Sequence, residues 1–330
     1  MTKQTSRKGK TTSGKSKKSI IVKCIAIVVA AIGLNYVWPR LSGEDSLPSE
    51  VVEGAASKQS QERNAAYAAE DARKAREAEE AKLNDTDAPD DGVSRKVYEN
   101  LEQPAEINDR SEVLLFKRQY IISYNIERLC PTYVCWELTP ERVNGTAERT
   151  DNFMPDPAVS EKLRVVTGDY ANSGYDRGHM CPAADNKNTE DAMMESFFMT
   201  NICPQTHSLN AGGWKELEEF CRSWVRDYNA PLYICCGPIF DKKRPKTIGK
   251  RKGFKVAVPD RFYKVILYVG RQTQAIGFIY PNQKCDGDMR DYAVSVDDVE
   301  KVTGLDFFYQ LDDKTEKAVE SKCNPASWGL

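Results

Sequence analysis

Hydrophobic positions along this chain fall into three regimes. From Ser19 to Trp38 they run almost unbroken for about 20 residues, enough at about 1.5 Å per residue to cross a bilayer. From Ser57 to Leu83 they thin to alanines among Glu, Lys, Arg and Gln, with neither Gly nor Pro. That composition predicts a solvent-exposed charged helix, and the absence of a sustained a/d heptad argues for a stalk rather than a coiled coil. Turn residues then break it at 84–92. From about residue 112 the pattern becomes mixed. Gln119–Tyr124, Thr132–Leu138, Leu232–Cys236, Phe262–Val269 and Ala275–Tyr280 are rich in β-branched and aromatic residues and predict strands. Glu190–Thr200, Gly213–Tyr228 and Val296–Val302 predict helices. In the second of these, Trp214, Leu217, Phe220, Cys221, Trp224 and Val225 recur at helical spacing and predict a core-facing stripe. Strands and helices do not alternate strictly, so the class expected is α+β with a central antiparallel sheet flanked by helices.

Length and composition permit a sizeable core: 330 residues, 40% hydrophobic and 29% charged. The net charge of −2 conceals a segregation. Residues 1–38 carry eight Lys/Arg and no acid, whereas residues 39–105 carry nine basic and sixteen acidic residues. Neither residues 39–105 nor the folded domain as a whole is strongly basic, so any grip on nucleic acid must come from local charge. Seven of the N-terminal basic residues precede the apolar run, Lys23 lies near its start, and Tyr36 and Trp38 form an aromatic edge at its far end. The positive-inside rule then places residues 1–18 in the cytoplasm, 19–38 in the membrane, and a stalk (39–105) and folded domain (106–330) on the periplasmic or extracellular side. An anchor is preferred to a cleaved signal peptide because the leader is long and no A-x-A site follows. The Lys-rich leader also lacks the Arg-rich amphipathic character of a mitochondrial transit peptide.

Candidate chemistry is concentrated in one stretch. The chain has two histidines, and His179 closes the run Tyr175-Asp-Arg-Gly-His179, placing an imidazole base beside a guanidinium. Thr200-Asn201-Ile-Cys-Pro-Gln205 follows, then Leu209-Asn210-Ala-Gly-Gly-Trp214 and Leu217-Glu218, which offer oxygen ligands to a hard cation. Base, cation and metal ligand suffice for attack of water on a phosphodiester. If Asn210 and Glu218 shared one helix, they would stand about 12 Å apart along its axis, suiting one direct and one water-mediated contact. His207, in Pro204-Gln-Thr-His207, carries no assignable role beyond a structural or surface one.

In order and spacing, this set resembles the DNA/RNA non-specific endonuclease family, the ββα-metal nucleases that include mitochondrial endonuclease G. The resemblance covers roughly residues 115–310. It implies a ββα-metal nuclease fold and cleavage of DNA and RNA alike. It makes His179 the general base, Asn210 the direct protein ligand to Mg²⁺ with Mn²⁺ as a substitute, and Glu218 the holder of a metal-bound water. Arg177 and, by a looser match, Arg149 are the arginines that steady phosphate charge. Asn201 orients neighbouring groups, Asp176 is structural, and a homodimer is left open. A catalytically silent nucleic-acid or protein binder on the same fold is the competing function, disfavoured because a binder has no need of His179, Asn210, Glu218 and Arg177 together. A fully secreted nuclease after signal cleavage is the third reading.

Two further features add expectations. Residues 241–255 hold eight basic residues and one acid, so Lys242, Lys243, Arg244, Lys250, Arg251 and Lys252 are candidate backbone contacts, with a plain solvated loop the alternative. Nine of the ten cysteines lie beyond the apolar run. Outside the cytoplasm they could form disulfides, with Cys130–Cys135 and Cys285–Cys323 as trial pairings. The absence of a CxxC pair argues against a structural zinc site.

Overall fold

The computed structural model describes residues 99–106, 112–270 and 272–330, together with position 66. The predicted span 19–38, nearly all of the predicted stalk and Cys24 lie outside the described residues. Among the described residues no helix is long and apolar enough to cross a membrane.

The chain forms strands β1 (Glu112–Phe116), β2 (Ile121–Asn125), β3 (Cys130–Leu138), β4 (Asp176–His179), β5 (Ile202–Gln205), β6 (Leu232–Ile239), β7 (Thr247–Ile248), β8 (Val256–Ala257), β9 (Arg261–Tyr268), β10 (Gln274–Pro281) and β11 (Ala293–Val294). Its helices are α1 (Pro140–Val143), α2 (Glu190–Ser196), α3 (His207–Asn210), α4 (Gly213–Tyr228), α5 (Val296–Thr303) and α6 (Asp313–Glu320). Seven strands build one antiparallel sheet in the order β1-β2-β3-β6-β9-β10-β11, while β4–β5 and β7–β8 form separate ribbons. The expected α+β class with a central antiparallel sheet is what the chain adopts.

Period-two alternation divides the sheet's residues between two cores. From β9, Phe262 and Ile266 join Trp214, Leu217, Cys221, Trp224 and Val225 of α4 on one face. Tyr263, Val265 and Leu267 join Val296 and Val299 of α5 and Val319 of α6 on the other. Strands buried on both faces read as continuous apolar runs, which is why all five predicted strands are present. Residues 99–105, assigned from sequence to the stalk, pack against the folded body. Leu101 is buried in the second core, and Gln310 donates to the carbonyls of Asn100 and Gln103 at 2.6 and 2.9 Å.

Two expectations are corrected. The helix predicted through Thr200 stops at Ser196, because the Met154 backbone takes over: Met154 N–H donates to Phe197 O at 3.2 Å, and Met199 N–H to Met154 O at 3.0 Å. The trial disulfides are absent, since all nine cysteines among the described residues are free. Cys130 and Cys135 are five apart in one strand, an odd offset that sends them to opposite faces and different cores. Burial pushes Cys181 and Cys221 up to about 12 and raises Cys135, Cys203, Cys235 and Cys236 as well.

A buried ion pair ties the segment after α1 to the sheet edge. Lys117, just past β1, meets Asp156 at 2.6 Å with both side chains fully enclosed. Asp156 also accepts from Thr200 Oγ1 at 2.5 Å and from Ala158 N–H at 2.8 Å. Removing one partner leaves an uncompensated buried charge. Asp156→Ala is therefore expected to cost about 3–5 kcal/mol in urea denaturation, and Lys117→Met with Asp156→Leu far less. Equal losses for the single and double changes would show that the pair is not what holds the segment.

Candidate active site

Gly178 lets the β4–β5 ribbon close. A Cβ at that position would meet the Gln205 side chain at 1.9 Å, and Gln205 is itself fully buried. Alternation along β4 then sends Arg177 and His179 to one side, where Phe153 lies. The Arg177 guanidinium sits 4.2 Å from the Phe153 ring centre and the His179 imidazole 5.2 Å from it. Phe197 meets the imidazole edge-on at 5.0 Å, and Arg149 lies 5.2 Å from the Phe197 ring while pairing with Asp151 at 2.6 Å. His179 thus stands between two aromatic rings, with two guanidiniums around it.

That setting decides its protonation. Burial, reinforced by the charges of Arg149 and Arg177 and opposed by Asp151, lowers the His179 pKa from 6.5 to about 3. The imidazole is neutral at physiological pH, and its Nε2 has no hydrogen-bond partner within the protein. A neutral ring with a nitrogen left uncommitted is the form a general base requires.

The backbone behind His179 is pinned from two directions. Trp214 Nε1 donates to His179 O at 3.2 Å. Asn201 accepts from Cys181 N–H through Oδ1 at 2.9 Å, and its Nδ2 donates to the carbonyls of Cys181 at 2.8 Å and Ser196 at 2.9 Å. Asn201 is wholly buried and every polar atom of its amide faces backbone, so it positions the chain after His179. It does not line the cleft.

Asp176 gathers the opposite side. Its Oδ2 accepts from Asn210 Nδ2 at 3.0 Å and lies 2.8 Å from His207 Nδ1. Read from sequence as structural, Asp176 is a wall of the cleft and the group that orients Asn210; His207, whose side chain is 83% exposed, is its second partner. Asn210 ends α3 and α4 begins at Gly213, so Asn210 and Glu218 do not share one continuous helix. The Gly212–Gly213 break is sterically required: a Cβ at Gly212 would meet Ser208 O at 2.5 Å, and one at Gly213 would meet the Tyr280 ring at 2.9 Å. Asn282 fixes the approach to α3, accepting from Thr206 N–H at 2.8 Å and donating to Pro204 O at 3.0 Å.

Glu218, half-buried on α4, is pushed up to about 7 by burial and by Asp185, against the charges of Lys264, Arg222 and Arg149. The Arg149 charge acts on both Glu218 and His179, favouring the ionised carboxylate and the neutral imidazole. Arg222, not singled out from sequence, pairs with Asp185 at 2.9 Å and lends its charge to Glu218. Its spacing four residues beyond Glu218 was the available signal. The cleft itself has a volume of about 490 Å³ and is lined by Arg149, Phe153, Tyr170, Tyr175, Asp176, Arg177 and Asn210 among others. The Asn210 amide and the Asp176 carboxylate, which meet in the cleft wall, offer oxygen donors suited to a hard divalent ion, and Glu218 is not among the lining residues.

The basic segment forms the β7–β8 hairpin beside this cleft, with Lys246 Nζ 3.2 Å from Tyr175 OH. Two of its candidate contacts are engaged within the protein: Arg251 bonds Asp169 and the carbonyl of Arg164, and Lys242 lies 3.5 Å from Asp260. Lys243, Arg244, Lys250 and Lys252 are in no ion pair among the described residues, and all four are exposed.

Comparison with known proteins gives a consistent result. The family of DNA/RNA non-specific endonucleases matches residues 99–314. A nuclease of Nostoc sp. is 35% identical over 63% of this chain and 78% of its own length. Mitochondrial nuclease EXOG of Xenopus laevis is 35% identical over 64% of this chain, and the match spans 63% of that relative. Human mitochondrial endonuclease G is 31% identical over 58% of this chain and 68% of its own length. The crystal structure of the EndoG/EndoGI complex superposes with a TM-score of 0.58 at 29% identity, covering 64% of this chain and 91% of that one.

The depressed pKa of His179 has a stability consequence. Because the folded value lies below the unfolded one, unfolding takes up a proton between about pH 6.5 and 3. The contribution is present above pH 6.5 and is lost as pH falls through that window. The unfolding free energy from urea titrations should drop across it by on the order of a few kcal/mol, and His179→Gln should flatten that part of the curve. An unchanged profile in the variant would mean that His179 titrates normally.

Proposed function

The chain belongs to the DNA/RNA non-specific endonuclease family, and from that premise we propose that it hydrolyses phosphodiester bonds in both DNA and RNA, with His179 as the base. The observation that carries this reading is the His179 setting: an imidazole held neutral, its Nε2 uncommitted, between Arg149 and Arg177 and beside the cleft that Asn210 lines. Nε2 takes a proton from the attacking water, whose oxygen bonds to phosphorus as the bond to the leaving oxygen breaks. The guanidiniums of Arg177 and Arg149 neutralise the nonbridging oxygens, where charge gathers in the transition state. Asn210 would hold a Mg²⁺ ion directly, or Mn²⁺ in its place, and Glu218 through a water; such an ion supplies positive charge for the leaving oxygen. Asp176 keeps the Asn210 amide turned so that its nitrogen, not its oxygen, is occupied within the protein. Phe153, which lines the cleft and packs on the imidazole, keeps bulk water from the base. Asn201 acts only through the backbone that it clamps.

Sequence preference is weak in this reading, because the unpaired cations Lys243, Arg244, Lys250 and Lys252 can neutralise phosphates but carry no base-reading geometry. We also propose that residues 19–38 tether the enzyme to a membrane with residues 106–330 outside the cytoplasm. The support is the length of the apolar run and the seven basic residues before it.

Plasmid and RNA cleavage by His179→Ala should fall by about 10²–10⁴-fold while thermal unfolding shows a folded protein. Asn210→Ala should lose cleavage at low Mg²⁺ and regain part of it at high Mg²⁺, and Glu218→Ala should shift the metal requirement in the same direction by less. His179→Ala activity within about tenfold of wild type would sink the base assignment. Unshifted metal dependence in both other variants would sink the ligand assignment.

The tether predicts that the full chain stays with membranes through a carbonate wash and that protease added outside releases the nuclease. A soluble product beginning near residue 39 would identify a cleaved signal peptide instead.

A further inference from the structure

On the sheet face covered by α5 and α6, away from the cleft, three carboxylates converge. Asp297 and Glu300 come from α5 and Glu320 from the end of α6, and one oxygen from each lies within 4.8 Å of the others. Glu320 is only 4% exposed, and its Oε1 is enclosed with no hydrogen-bond partner. The nearest ion pair, Lys301 with Asp298 at 2.9 Å, leaves all three out, and among the described residues no Lys or Arg pairs with any of them. Glu300 accepts from Phe307 N–H through Oε1 at 2.8 Å, which leaves its second oxygen for another partner.

Such a grouping is electrostatically unfavourable as it stands. Glu320 is the last residue of α6, where the helix dipole is negative. Burial first, then Glu300, Glu316, Asp297 and Asp306, push its carboxyl up to about 9. Burial also raises Glu300, Asp306 and Glu316. An enclosed acceptor surrounded by acids, without a donor, calls for a cation.

We propose that Asp297, Glu300 and Glu320 bind a Ca²⁺ ion that fastens α6 to α5. Oxygens that all lie within 4.8 Å of one another can share one ion, and Ca²⁺ accepts about six to eight oxygen ligands in flexible geometry. Mg²⁺ demands a near-ideal octahedron and keeps several of its waters, which suits carboxylates gathered from two helices less well. Oxygen donors alone, without imidazole or thiolate, also turn the site away from zinc. The ion would bridge the two helices that close the second core, where Val299 and Val319 pack. This site is independent of the nuclease centre, which lies under the other face of the sheet.

Calorimetric titration of CaCl₂ into the metal-stripped full chain in detergent micelles tests it, with thermal unfolding in CaCl₂ and in EDTA alongside. The expected result is a calcium-binding event that survives Asn210→Ala and weakens about tenfold or more in Glu320→Gln and in Asp297→Asn. Calcium should raise the Tm of wild type but not of Glu320→Gln, whose Tm in EDTA should equal or exceed that of wild type because its amide can never ionise among the neighbouring acids. Asp297→Asn, a half-buried change, carries the test if Glu320→Gln fails to fold. The proposal is overturned if the calcium event disappears with Asn210→Ala, if it is indifferent to both carboxylate changes, or if MgCl₂ binds the site as tightly as CaCl₂.

Discussion

Trp214 is the residue through which the parts of this nuclease are brought into register. Its ring packs on Phe262 of β9 at 5.7 Å and Tyr280 of β10 at 6.5 Å, with the buried Lys264 ammonium 4.6 Å from its centre. Its indole nitrogen donates to the carbonyl of His179. One side chain therefore joins the main sheet, the helix bearing Glu218 and the strand bearing His179. The two-stranded ribbon β4–β5 has too little area to bury for stability of its own. Its position is inherited from α4 and from the Asn201 clamp, and the placement of His179 depends on both.

The charges of the site are organised by burial as much as by contact. His179 and Glu218 are displaced in opposite directions, one held neutral well below its ordinary range and the other raised toward neutrality, and burial is the first cause in each. Arg149 favours the neutral imidazole and the ionised carboxylate at once. A cation drawn to Glu218 would favour its ionised form further, so metal affinity and proton release are linked there. Asp185 completes the arrangement from beneath. It pairs with Arg222, accepts from Trp136 Nε1 at 3.2 Å, and its carbonyl accepts from Arg142 at 3.0 Å.

How much of this was legible in the chain depended on whether the signal was periodic or spatial. The five long strands announced themselves because they are apolar on both faces, and α4 because its stripe repeats at 3.6 residues. β4 was invisible as a strand: Asp-Arg-Gly-His has no apolar alternation, and it pairs with a strand containing Pro204. The motif order did identify the family. It could not show that Asn201 acts through backbone alone, that Asp176 orients Asn210, or that Arg251 is engaged by Asp169. Each of those facts joins residues far apart in sequence. The Gly-Gly step at 212–213 was readable as a turn, but its cause, the Ser208 carbonyl and the Tyr280 ring, exists only in the folded chain.

Seven of the nine described cysteines are buried and unbridged, and burial suppresses the thiolate form of most of them. Thiolate is the species that alkylating agents and oxidants attack, so the native fold acts as a shield for its own sulfur. Among the described residues only Cys285 and Cys323 are open to reagent. Each local opening of the sheet would uncover a defined subset, with Cys135 and Cys235 facing one core and Cys130, Cys181, Cys203, Cys221 and Cys236 the other. The order in which these sulfurs acquire mass under a brief pulse of iodoacetamide would therefore read out which face of the sheet separates first, with no probe added to the protein.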